Sequence, residues 1–137
     1  MDNDRVKHSI SVARRMVEIG KSYNLSNEEL EELFVLGLNH DIGYEFCDGG
    51  NHNVVGGNIL KRSNYKYWRE VYYHGVVQEE YSSLYLKILN TADMQVDKYG
   101  NVVGFEERLK DIKSRYGEDS VVYKRCVLLI EFIKSGV

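Results

Sequence analysis

The chain has 137 residues, 43% hydrophobic and 28% charged, and carries a net charge of -3. That size and balance predict one globular domain over residues 1–137 and exclude a disordered tail, a fibre or a coiled-coil rod. With 18 basic against 21 acidic residues the chain lacks the basic excess of a general nucleic-acid binder, so no nucleic-acid partner is expected.

Proline is absent, so element boundaries are read from Gly, Asn, Ser and helix caps. Val6, Ile10, Ala13, Val17 and Gly20 recur at helical spacing and predict a helix over about residues 4–23. Ser26 and Glu29 form a capping-box pattern ahead of Leu30, Leu33, Phe34 and Leu38, which predicts a second helix ending near Asp41 and before Gly43. Residues 43–51, with Gly49 and Gly50, read as a loop, and a short helix follows to about Arg62. Tyr65, Tyr67, Trp68, Tyr72 and Tyr73 lie on a helix expected to end near His74; Leu84, Ile88, Leu89 and Ala92 mark another over about residues 82–96. Phe105, Leu109, Ile112 and Tyr116 step by four, three and four, with Gly117 as a left-handed C-cap, and a last helix starts from Ser120. Sustained period-2 alternation is absent, so the expected fold is an all-α bundle of about six or seven helices.

Two cysteines, Cys47 and Cys126, cannot make a disulfide framework. Without a signal-peptide pattern or an apolar run long enough to span a bilayer, the expected compartment is the cytoplasm, with no membrane partner.

All four histidines, His8, His40, His52 and His74, fall at or near predicted helix positions able to face one cavity. Asp41 joins them directly after His40, and Asp93 lies in an otherwise apolar stretch. An ionised Asp on a buried helical face is costly unless paired, hydrogen-bonded or bound to a metal, and neutral imidazoles are good ligands for first-row transition metals. Neighbours on a regular helix project about 100° apart, so His40 and Asp41 converge best where the helix loosens towards Gly43.

In this order the residues resemble the HD-domain superfamily of metal-dependent phosphohydrolases, whose pattern is a His, a His-Asp pair and a distant Asp. The resemblance is carried by Arg5-Val-Lys-His8, by Leu38-Asn-His40-Asp41-Ile-Gly43 and by Thr91-Ala-Asp93, and it spans at least residues 5–97. With His52 and His74 between the pair and the last Asp, the chain is similar to the subset holding two metals. That resemblance implies one ion on His8, His40, Asp41 and Asp93, and a second on His52 and His74 with Asp41 bridging; the alternative is a single ion, with His52 at a helix N-terminus and His74 as a C-terminal cap. Iron or manganese suits mixed imidazole and carboxylate ligands best, with magnesium, nickel, cobalt or zinc as further options.

The resemblance implies hydrolysis of a nucleotide or small phosphoester by metal-activated water. His40 and Asp41 are expected at the catalytic centre with Lys87 beside them, and Lys61, Arg62 and Arg14, or else Arg15, hold phosphate oxygens. Asp97, four residues after Asp93, is a candidate to orient a ligand or base, and Cys47 reads as structural rather than nucleophilic. Tyr72, Tyr73, Tyr81 and Tyr85 are expected to pack the core rather than stack on a base. The sequence Ala92-Asp93-Met94-Gln95 lacks the Ala-Asp-Arg of stringent-response hydrolases, and no Gly-Tyr-Pro marks a cyclic-dinucleotide phosphodiesterase. Ligand spacing is closer to small bacterial members that include symmetrical dinucleoside tetraphosphate hydrolases. The same ligands also fit an HD-type diiron oxygenase such as myo-inositol oxygenase, or a non-catalytic nucleotide-binding module. A homodimer is compatible with the sequence.

Overall fold

The computed structural model describes residues 2–47 and 50–136; Gly49, from the expected glycine-containing loop, lies outside them. Among the described residues the elements are α1 (Asn3–Ser22), α2 (Asn27–Asn39), a 3-10 turn (Ile42–Glu45), α3 (His52–Arg62), α4 (Trp68–Tyr73), α5 (Leu84–Asp93), α6 (Phe105–Tyr116) and α7 (Val121–Lys134). The all-α expectation holds, with one isolated bridge between Val96 and Val102 as the extended exception.

Local chemistry sets the helix ends. Asp2 caps α1 by accepting the Arg5 amide, and the capping box at α2 is complete: the Glu29 amide donates to Ser26 Oγ at 3.1 Å while the Ser26 amide donates to Glu29 Oε1 at 3.0 Å. Two helices are shorter than the sequence predicts. Asn64, at φ +61°, ends the α3 segment in a left-handed turn, so Tyr65 and Tyr67 precede α4 rather than sit on it. The segment after Asp93 leaves α5 because Val96 turns away to pair with Val102. Gly117 has the positive φ expected of it, +91°, but its ψ of 154° is extended rather than left-handed helical.

Two apolar clusters hold the helices together. Val12 and Met16 of α1, Leu33 and Leu36 of α2, and Ile88 and Leu89 of α5 form the larger one; burying each such side chain is worth about 1.5–3 kcal/mol. Ile112 of α6 and Cys126, Leu129 and Ile130 of α7 pack on Met94 in the second. Asp93 ends α5 immediately before Met94. Of the four tyrosines expected to pack the core, Tyr85 lies against the larger cluster, as do Tyr65 and Tyr67, whereas Tyr72, Tyr73 and Tyr81 are half-buried and meet one another ring to ring. Among the described residues no helix is long and apolar enough to cross a membrane.

Candidate metal centre

Four separate segments deliver the four histidines. His8 comes from the first turns of α1, His40 caps the C-terminus of α2, His52 opens α3, and His74 caps α4. The expected loosening after α2 is present: His40 keeps helical angles, Asp41 moves to φ -103° and ψ 16°, and the chain tightens into the 3-10 turn. Residues 43–51 were expected to be loop throughout, whereas Gly43 and Tyr44 lie inside that turn. Gly43 is required there, because a Cβ at this position would collide with the His52 carbonyl. Its hydrogen side chain lets α3 begin against the His-Asp corner.

The structure brings His8, His40, Asp41, His52, His74 and Asp93 together. Asp41 divides its two oxygens: Oδ1 lies 3.3 Å from His52 Nε2 and 3.6 Å from His74 Nε2, whereas Oδ2 lies 3.3 Å from His40 Nε2 and 3.6 Å from His8 Nε2. Asp93 Oδ1 lies 2.9 Å from His8 Nε2 and 3.5 Å from His40 Nε2. These atoms form three overlapping groups, each within 4.8 Å, that could hold an ion: His8 with His40 and Asp41, His40 with His74 and Asp93, and Asp41 with His52 and His74.

Backbone carbonyls set the tautomers. His40 Nδ1 donates to the Gly37 carbonyl at 2.6 Å, His74 Nδ1 to the Val71 carbonyl at 2.6 Å, and His8 Nδ1 to the Asp97 carbonyl at 2.9 Å. A carbonyl can only accept, so each Nδ1 carries the proton and, in a neutral ring, each Nε2 presents a lone pair to the centre. His40 Nε2 and His74 Nε2 are buried without a hydrogen-bond partner among the described residues. Leaving such an atom unpaired costs about 1–3 kcal/mol, and here the lone pairs also face carboxylate oxygens. A divalent cation on these donors satisfies both, so the residues fit a metal.

Without metal, protons must take that place. Burial pushes His40 down, but the carboxylates of Asp41 and Asp93 beside it hold it well above its ordinary 6.5. Burial pushes Asp41 and Asp93 up; the imidazoles against them, His40 first, with His52 and His74 at Asp41 and His8 at Asp93, hold both well below 3.8. The signs define a window for the metal-free chain. His40 contributes stability that is complete below pH 6.5 and fades as pH rises through its raised value, whereas the two carboxylates contribute above pH 3.8 and fade as pH falls through their depressed values. Thermal melts of chelator-treated protein should therefore show the cluster's stabilisation greatest between about pH 4 and 6.5. It should be lost in alkali and regained there on adding manganese; a metal-free Tm that holds steady into alkali would contradict this.

Asp97 does support a ligand, though through its backbone: its carbonyl takes His8 Nδ1, while its carboxylate accepts the Tyr99 and Asn101 amides and folds the following loop. Tyr44 stacks on His52 with ring centres 4.2 Å apart, and the Arg5 guanidinium lies 3.3 Å over the other face of Tyr44. Among the described residues Cys47 Sγ bonds the Gly43 carbonyl, at 3.3 Å.

Above the cluster lies a cavity of about 440 Å³ whose cationic lining is Arg5, Lys98, Arg108, Arg115 and Arg125. None of the expected phosphate-binding residues is among them. Lys61 and Arg62 end α3, about 14 Å of helical rise from His52, and Lys61 lies over Trp68 instead. Arg14 follows His8 by six residues and Lys87 precedes Asp93 by six, a rotation of about 240°, so each points away from the ligand on its own helix. Lys87 lines a different cavity, with Gln78 and Phe132. Arg15, seven residues from His8, bonds Gln95 at 2.9 Å. Of the arginines that do line the cavity, the sequence marks two by spacing alone: Arg108, Ile112 and Arg115 sit at i, i+4 and i+7, on one helical face.

The chain matches the family described as HD domain over residues 5–127. No curated protein and no solved structure matches it significantly.

Proposed function

The chain belongs to the HD-domain family, and from that premise we propose that it is a metal-dependent phosphohydrolase acting on a nucleotide or small phosphoester. Four imidazoles and two carboxylates converge at the base of a cavity, with the inward Nε2 atoms of His40 and His74 unpartnered among the described residues. That convergence carries the reading.

His8, His40, Asp41 and Asp93 would hold one ion, and His52 and His74, with the second oxygen of Asp41 facing them, would hold another. Iron or manganese suits this donor set. When bound, such a pair supplies Lewis acidity to a phosphoryl oxygen and makes water acidic enough to act as a nucleophile near neutral pH. The chain's own part is placement. Carbonyls of Gly37, Val71 and Asp97 fix three imidazoles, Tyr44 braces the fourth, and the arginine-lined wall draws in an anion. That wall favours a phosphorylated substrate over an uncharged one such as myo-inositol.

Protein purified without oxygen should contain about two transition-metal ions per chain. It should release phosphate from members of a panel of nucleotides, dinucleoside polyphosphates and phosphoesters supplied with manganese or iron, and a chelator should abolish release. A fully loaded protein that turns over none of them, or an iron form that consumes oxygen only when substrate is present, would overturn the reading.

A further inference from the structure

The cavity wall facing the cluster is built by α6 and α7, and its charge is unbalanced. Arg108 is buried; its Nε donates to the Asp93 carbonyl at 3.3 Å and its Nη1 to Asp111 Oδ2 at 3.1 Å. Arg115 Nη2 donates to the same Asp111 oxygen at 3.2 Å, so one carboxylate oxygen serves two guanidiniums. Arg125 forms no ion pair with any described residue. All three arginines line the one cavity, as does Cys126 beside Arg125 on α7. Ile112, Val122 and Met94 supply apolar surface in the same cavity.

Like charges gathered in a partly desolvated wall repel unless an anion joins them, and guanidiniums bind phosphate through paired, charge-assisted hydrogen bonds. Both Arg108 and Arg115 keep free donors, since a guanidinium has five. The cavity, about 440 Å³, is in the range of sites for whole small molecules of roughly 300–1,000 Å³, more than one phosphoryl group needs. Building on the phosphohydrolase reading, we propose that Arg108, Arg115 and Arg125 form a second anion subsite. It holds a phosphate of the substrate other than the one hydrolysed, so the substrate carries at least two phosphoryl groups, as in a phosphoanhydride chain. Such a chain comes either as inorganic polyphosphate or attached to a nucleoside, and both would use this subsite.

The test uses Arg115→Gln and Arg125→Gln, because these residues are exposed, whereas Arg108 is buried and its replacement risks the fold. Calorimetry on metal-free protein reads binding of inorganic tripolyphosphate and of a nucleoside triphosphate. Each substitution should weaken both by about tenfold or more, the scale of a lost hydrogen bond to a charged group; Arg14→Gln should not. Tighter binding of the nucleoside form assigns the wall to a nucleotide, and equal binding assigns it to the phosphate chain alone. In metal-loaded protein, the kcat/KM ratio of tripolyphosphate to p-nitrophenyl phosphate should fall by a similar factor. Arginine-dependent binding with no phosphate release from any substrate would remove the phosphohydrolase reading and keep the subsite. Phosphate release and tripolyphosphate binding that are both indifferent to the two substitutions would remove the subsite and keep the reaction.

Discussion

Asp41→Asn is expected to empty the centre, with metal content on anaerobically purified protein falling close to zero and phosphate release falling by at least about a hundredfold. Asp41 is the one side chain whose two oxygens reach opposite sides of the cluster, towards His52 and His74 on one and His8 and His40 on the other. Asparagine keeps the shape but removes the negative charge and turns one acceptor into a donor, which would point an N–H at imidazole lone pairs or at a cation. Loss of an outer partner of a metal ligand already costs about 10–100-fold in affinity or activity, and loss of the shared ligand removes more. Circular dichroism should show the helices intact, because the apolar clusters of α1, α2 and α5 do not depend on this side chain. Cys47→Ala, which gives up a contact to the Gly43 carbonyl, should keep metal and turnover. Retained metal with activity within about tenfold of wild type in Asp41→Asn would refute the ligand assignment.

Gly43→Val is the second large effect. Any Cβ at position 43 runs into the backbone of His52, which no rotamer change can move aside. Relief requires α3 to withdraw from the His-Asp corner, taking His52 from its 3.3 Å approach to Asp41 and from its stack on Tyr44. Overpacking of this kind costs about 1–3 kcal/mol, so Tm should fall by about 5 °C or more, and metal content should drop towards one ion per chain. Gly104→Ser serves as the comparison. Position 104 is the N-cap of α6 with open space around it, and serine is a favoured cap, so Tm should hold or rise. A Gly43→Val protein with unchanged Tm and full metal content would show that the close approach is not needed.

Much of this architecture was readable before any coordinates, because its signals are local. Ser26 and Glu29 advertise their capping box within four residues, and apolar spacing marks α1 and α6 from one turn to the next. His40 and Asp41 were expected to converge where helical geometry relaxes, and they do. What escaped is directional or distant. Nearness in sequence to a ligand suggested Arg14, Lys61, Arg62 and Lys87, yet helical rise and rotation turn each away from the cavity. Arg108, Arg115 and Arg125 reach it only because the α6–α7 hairpin packs back over Met94, a contact that no local spacing encodes. The 3-10 turn at Ile42–Glu45 was likewise hidden, since it depends on α3 seating against Gly43.

The carbonyls of Gly37, Val71 and Asp97 that orient three of the rings come from the peptide chain and not from side chains. Every amino acid carries that group, so no single codon change at those three positions deletes it. A substitution there reaches the rings only by displacing the backbone, as at Gly37, where a Cβ would meet the Ala13 backbone. The layer behind the ligands thus keeps its acceptors under any substitution, while the Arg-lined wall, made of replaceable side chains, is free to diverge.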